Sequence, residues 1–152
     1  MRRTTLGIIL LLAACSRSPE RDSVSPNALT DGMVALVDDV NAKDWPHDPF
    51  TIDSATIADD ALTIVARFGG GCRDHIFALL LGRAFMESHP VQTHARLSHN
   101  ARGDACDALI TKTWTFDLTR LKERYRASYG RAPATIVINL NGLDRQLRYS
   151  FE

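Results

Sequence analysis

A chain of 152 residues, 45% hydrophobic, 24% charged and 7% aromatic, has the profile of one globular domain long enough to bury a genuine core. Its 18 basic and 18 acidic side chains cancel, which argues against a general nucleic-acid binder, because such a protein carries a basic footprint. No stretch reaches the roughly 20 apolar residues of a membrane span, and no internal repeat is visible.

The N-terminus carries the most specific signal. Met1-Arg2-Arg3 is a basic start, and Leu6 to Leu12 is an apolar run too short to span a membrane, which is the layout of a secretion signal. The run ends in Leu12-Ala13-Ala14-Cys15, which resembles the lipobox of bacterial lipoproteins at all four positions. The resemblance implies cleavage before Cys15, acylation of Cys15 and a mature chain that begins there. Several acyl chains supply the stable anchoring that one chain does not. In many Gram-negative lipoproteins an Asp after the Cys retains the protein in the inner membrane. Ser16 therefore resembles the class sorted to the outer membrane and facing the periplasm. Loss of Arg2 and Arg3 leaves 16 basic against 18 acidic residues, a net charge of −2. Residues 1–14 are accordingly read as signal peptide, and 15–27 as a lipidated N-terminus with a polar, proline-containing tether. Residues 28–152 form the expected domain.

Along that domain, Leu29, Met33, Leu36, Val37 and Val40 recur at helical spacing, which predicts an amphipathic helix over 28–42, with a strand through Met33–Val37 as the competing reading. Trp45 to Pro49 is a loop, because two prolines exclude regular structure. From Phe50 the period changes to two. Strands are predicted over 50–57 and 61–68, joined by a turn at Asp59-Asp60 whose carboxylates need no calcium to explain them. Gly69-Gly70-Gly71 should break the second strand, by positive φ, a bulge or a close approach. No helical pattern follows the glycines, so they fit neither a dinucleotide fingerprint nor a phosphate loop. Strands resume over 75–81, where His75, Phe77, Leu79 and Leu81 share a face, and over 91–99, where His94 points out and His99 ends the apolar face. After a turn that contains Arg102-Gly103-Asp104, an adhesion-type tripeptide made of ordinary turn residues, a strand runs over 106–116 with Trp114 and Phe116 as core anchors. One helix follows, with Asp117 or Thr119 as cap, Leu118, Leu121 and Tyr125 as buried stripe, and Gly130 as stop. Its other face carries Arg120, Lys122, Arg124 and Arg126, a basic stripe that either touches anionic lipid or is a solvated face. Strands over 134–140 and 143–151 flank Asn141-Gly142, the signature of a two-residue type I′ hairpin. About seven strands with one inserted helix predict a two-sheet antiparallel, immunoglobulin-like sandwich, or a small barrel as the alternative.

Two cysteines remain after Cys15. In an oxidising compartment Cys72 and Cys106 are expected to close a disulfide. The rival is a zinc or copper site built from Cys72, His75, His99 and Cys106, with His99 and Cys106 nearly opposite if 91–99 and 106–116 pair as a hairpin. A catalytic reading would need Asp74 to orient His75 beside Cys72, but neighbouring strand residues point to opposite faces. The segment also resembles that of small bacterial lipoproteins of unknown function, with Gly-Gly-Gly-Cys-x-x-His and, later, Asp104-Ala105-Cys106; the resemblance implies no activity. The sequence thus predicts a non-enzymatic binding or structural module of the cell envelope. It is expected to have no cofactor, no nucleic-acid partner and a membrane attachment through lipid.

Overall fold

The computed structural model describes residues 24–152; the signal segment, Cys15 and most of the expected tether lie outside the described residues. Eight strands and one α-helix follow in order: β1 Val34–Val37, β2 Thr51–Ala58, β3 Ala61–Gly70, β4 Ile76–Gly82, β5 Val91–Asn100, β6 Ala108–Asp117, α1 Thr119–Tyr129, β7 Ala134–Leu140 and β8 Leu147–Phe151. They form two sheets packed face to face, ordered β1-β4-β5-β7-β8 and β2-β3-β6, so the chain is a sandwich and not a closed barrel. The β1–β4 and β5–β7 pairs are parallel and the other four antiparallel, so the larger sheet is mixed.

The alternating residues of both sheets meet in one core, where Leu62, Ile64, Phe77, Leu79, Leu81, Leu97, Phe116, Ile136, Ile138 and Tyr149 are fully buried. Each aliphatic or aromatic side chain so buried contributes about 1.5–3 kcal/mol of transfer free energy. Trp114 and Phe116 anchor this core as the alternation predicts. Strand β4 is apolar on both faces, Ile-Phe-Ala-Leu-Leu-Leu, and both are covered. Its outer face carries Ala78 and Leu80, which pack against Leu29, Ala35, Val37, Val40 and Trp45. The segment before β2 is therefore a lid on the larger sheet.

That lid is where the helix expected over 28–42 fails. Pro26–Ala28 is a single 3-10 turn, Gly32 has φ 78°, and Val34–Val37 runs as a strand parallel to β4. Both strand neighbours of Leu79 and Leu80 must be filled, and Val34, Ala35, Leu36 and Val37 satisfy that backbone demand. A spacing of three and four also fits a short strand flanked by turns. The Asn141-Gly142 hairpin is a second correction. Gly142 has φ 86° but Asn141 does not have positive φ, and the amide of Leu143 donates to Leu140 O. The β7–β8 ladder starts only at Ile138 and Leu147, so a longer connection replaces the two-residue turn. The helix forms where predicted and stops at Gly130, whose amide donates to Arg126 O, but its N-cap position is Leu118 and not Asp117 or Thr119; Asp117 Oδ1, one residue earlier, accepts from the Thr119 amide at 2.8 Å.

Candidate functional site

The glycine run belongs to the end of β3. Gly69 and Gly70 still pair with Leu109 and Ala108 of β6, and the break falls at Gly71, whose φ is 117°. Two positions beyond the last pair, the same antiparallel register sets Cys72 opposite Cys106. They are joined by a disulfide with Cα atoms 5.9 Å apart. The hairpin imagined between residues 91–99 and 106–116 does not form. Strands β5 and β6 lie in different sheets, and residues 101–107 carry the chain across the sandwich.

That crossing loop delivers Asp104 into a concave run of backbone amides. Its Oδ2 accepts from the amides of Gly71, Cys72 and Arg73 at 3.0, 2.9 and 2.9 Å, and its Oδ1 from Cys106 at 2.9 Å. The amide of Cys106, then those of Cys72 and Arg73 and the His75 ring, hold this carboxyl well below its ordinary range, against the opposing effect of desolvation. Such a nest of successive N–H groups is an anion site, here filled by the protein's own carboxylate. The Asp of the adhesion-type tripeptide is therefore turned fully inward.

His75 lies on this carboxylate, with Nε2 3.2 Å from Asp104 Oδ2, and its Nδ1 is 2.8 Å from His99 Nε2. The His75–His99 contact follows from the β4–β5 register, which pairs Phe77 with His99 and leaves His75 on the diagonal. Beyond it, His99 Nδ1 is 3.1 Å from the carbonyl of Asp48, in a segment bridged to the end of β5. Burial pushes the His99 pKa down. Aromatic rings enclose the pair: Phe68 lies 4.8 Å from His75 by ring centroids, and Phe77 stacks on His99 at 4.1 Å. Gly70 has to be glycine, because a Cβ there would sit 2.7 Å from His75 Cε1 and Nε2. No such demand acts at Gly69, where a Cβ would meet nothing within 4 Å.

Outside the pair is a cleft of about 390 Å³ lined by Asp31, Asp74, His75, Arg102 and Lys112. Asp31 ties its floor together, accepting from Trp114 Nε1 at 3.0 Å, the Phe77 amide at 2.9 Å and Lys112 Nζ at 2.9 Å. Burial raises its pKa, and these three donors outweigh it, leaving the carboxyl below its usual value. A larger groove of about 520 Å³ between Tyr125, Phe151, Pro90 and Pro133 shares no residue with the histidine cluster.

Of the four residues proposed from sequence as metal ligands, none offers a free donor in this arrangement. The sulfurs of Cys72 and Cys106 are bonded to each other, and the imidazoles of His75 and His99 face each other. Asp104 comes within 4.8 Å of both sulfurs, but its oxygens already accept from four amides and an imidazole. Asp74 is exposed, and the carboxylate that meets His75 is Asp104. The basic stripe of α1 is engaged within the protein: Lys122 bonds Asp60, Arg124 Nε donates to Arg83 O at 3.2 Å, and Arg126 bonds Glu152 O over the Phe151 ring. Asp104, Asp48 and Asp31 join the site only through contacts with distant segments, which no local sequence pattern signals.

No protein-family model matches the chain, and no curated protein matches it in sequence. Among solved structures it is similar to a NigD-like immunity protein from Bacteroides caccae, at 17% identity and a TM-score of 0.55, over 82% of this chain and 64% of that one. It is also similar to a proposed lipoprotein from Bacteroides fragilis, at 9% identity and a TM-score of 0.51, over 81% and 71% of the two chains. The chain spans less than two thirds of the immunity protein's length. At these identities the likeness establishes the fold.

Proposed function

We propose that this chain is a lipid-anchored protein of the cell envelope whose sandwich serves as a non-enzymatic binding or structural module. One observation carries the non-enzymatic part: the cluster richest in chemical groups is satisfied from within. Both cysteine sulfurs, both Asp104 oxygens and both nitrogens of His99 have partners inside the fold. A nucleophile or general base needs a free atom within reach of a substrate. The disulfide supports export to an oxidising compartment, as does the sandwich it shares with a proposed lipoprotein. Acylated Cys15 is the membrane attachment, Ser16 directs the chain to the outer membrane with the domain facing the periplasm, and no nucleic acid and no cofactor take part.

The test is processing. Cys15→Ser should leave an unprocessed precursor or a soluble form, whereas the unaltered protein should carry acyl mass on Cys15 at its mature N-terminus. A mature N-terminus elsewhere, without acyl mass, overturns the anchoring. The zinc or copper reading needs Cys72 and Cys106 reduced. Free thiols together with stoichiometric metal in protein from the envelope, lost in His75→Ala, would replace the present reading.

A further inference from the structure

The histidine pair does not close with both rings neutral. A carbonyl oxygen only accepts, so the contact with Asp48 O places a proton on His99 Nδ1. Asp104 is held as a carboxylate by four backbone amides, so its contact with His75 places a proton on His75 Nε2. Two neutral rings would then turn the lone pairs of His75 Nδ1 and His99 Nε2 toward each other across 2.8 Å, a direct contact too short for a bridging water. Unlike charges or dipoles must meet at that distance in a buried site, since an unpaired polar atom there is costly.

We infer that His75 and His99 hold one proton between them in the folded protein, forming a buried imidazolium that the Asp104 carboxylate neutralises. With burial keeping His99 neutral, the charge rests on His75, against its counter-ion. The cluster then carries no net charge and every nitrogen is bonded. A second proton has no acceptor left to face. Other charged and titratable groups around the pair are Asp48 and His47 from the segment before β2, Asp31 ahead of β1, Lys112 of β6, and Arg73, Asp74 and Arg102 of the two loops. Asp104 is the charged group in hydrogen-bond contact with the rings among the described residues. The proton acts as a clasp, because the ring that carries it lies on Gly70 and on the carboxylate that gathers Gly71, Cys72 and Arg73. Removing it sets lone pair against lone pair and loosens the disulfide-bearing loop from the sheet.

The proton count gives a test with a definite sign. Two unfolded histidines with pKa near ~6.5 together bind about one proton at that pH, fewer above it and more below it. A folded pair that keeps one proton therefore contributes most to stability near pH ~6.5. From pH 7 to 9, the folding equilibrium constant should fall by up to about tenfold per pH unit. A neutral folded pair gives a plateau over the same range instead. Urea unfolding of the full-length mature protein in detergent reads the slope, and 15N NMR of the imidazole nitrogens at pH 8 reads the charge directly. An imidazolium pattern on His75 and a falling stability support the proposal. A plateau with both rings neutral overturns it. Asp104→Asn should abolish the slope by removing the counter-ion; if that variant does not fold, the NMR spectrum of the unaltered protein decides.

Discussion

Replacement of Gly70 by alanine tests the site through a single methyl group. The added Cβ would lie 2.7 Å from both Cε1 and Nε2 of His75 and 3.2 Å from Asp104 Oδ2. Carbon contacts are comfortable at about 3.5–4.0 Å, so the imidazole must retreat by roughly 0.8 Å or more. It has nowhere to go, because Phe68 lies against it at 4.8 Å and His99 holds its Nδ1 at 2.8 Å. Overpacking of a fixed group costs about 1–3 kcal/mol, and this ring, clamped at both nitrogens, belongs near the upper end. Gly69→Ala is the internal control. Its Cβ meets nothing, and alanine in a strand loses less backbone entropy than glycine, so that change should be neutral or stabilising by up to about 1 kcal/mol. Urea unfolding of the two variants should separate them by about 3 kcal/mol. The cost of Gly70→Ala should also shrink when His75 is alanine as well, since the clash then has no partner. Equal stability of Gly69→Ala and Gly70→Ala, or full additivity with His75→Ala, would refute the packing described for this site.

Trp114→Ala should destabilise by about 3–5 kcal/mol through the cavity it opens beside Phe77 and Phe68, whereas Trp114→Phe, losing chiefly the indole bond to Asp31, should cost about 1 kcal/mol in denaturant titrations. Cys72→Ser should cost about 4 kcal/mol for a loop of 34 residues in the chain-entropy account, and unreduced protein should give no thiol reaction when denatured. Acid should weaken the fold in two stages. The folded-state pKa of His99 is depressed by burial, so the unfolded chain takes up the extra proton first and stability falls as pH drops below about 6.5. Asp104 is likewise depressed, and its contribution is lost as pH falls below about 3.8, chiefly through its amide partners. A urea midpoint that stays level from pH 6.5 to pH 3 would contradict both assignments.

Much of this protein is determined locally and was legible in order along the chain. The two-residue period of β2 to β6, the stop of α1 at Gly130 and the faces of Trp114 and His94 all depend on neighbours a few residues away. The Cys72–Cys106 disulfide was legible too, as the pairing expected of two cysteines in an exported chain. Tertiary structure alone decided the rest. Residues 34–37 carry a spacing that suits a helix, yet β4 offers them a strand edge with both faces to be buried, and packing outranks the weak local preference. The type I′ signal at Asn141-Gly142 yielded as well: β7 stays paired with β5 as far as Leu140, whereas its ladder with β8 stops at Ile138. The histidine cluster lay furthest from view. Asp104, His75, His99 and Asp48 come from four separate segments, and their meeting depends on which strands share a sheet. Sequence names the side chains, but the free energy that pairs β3 with β6 and β4 with β5 belongs to the whole sandwich, and only that pairing sets an imidazole on Gly70 and a carboxylate beneath it.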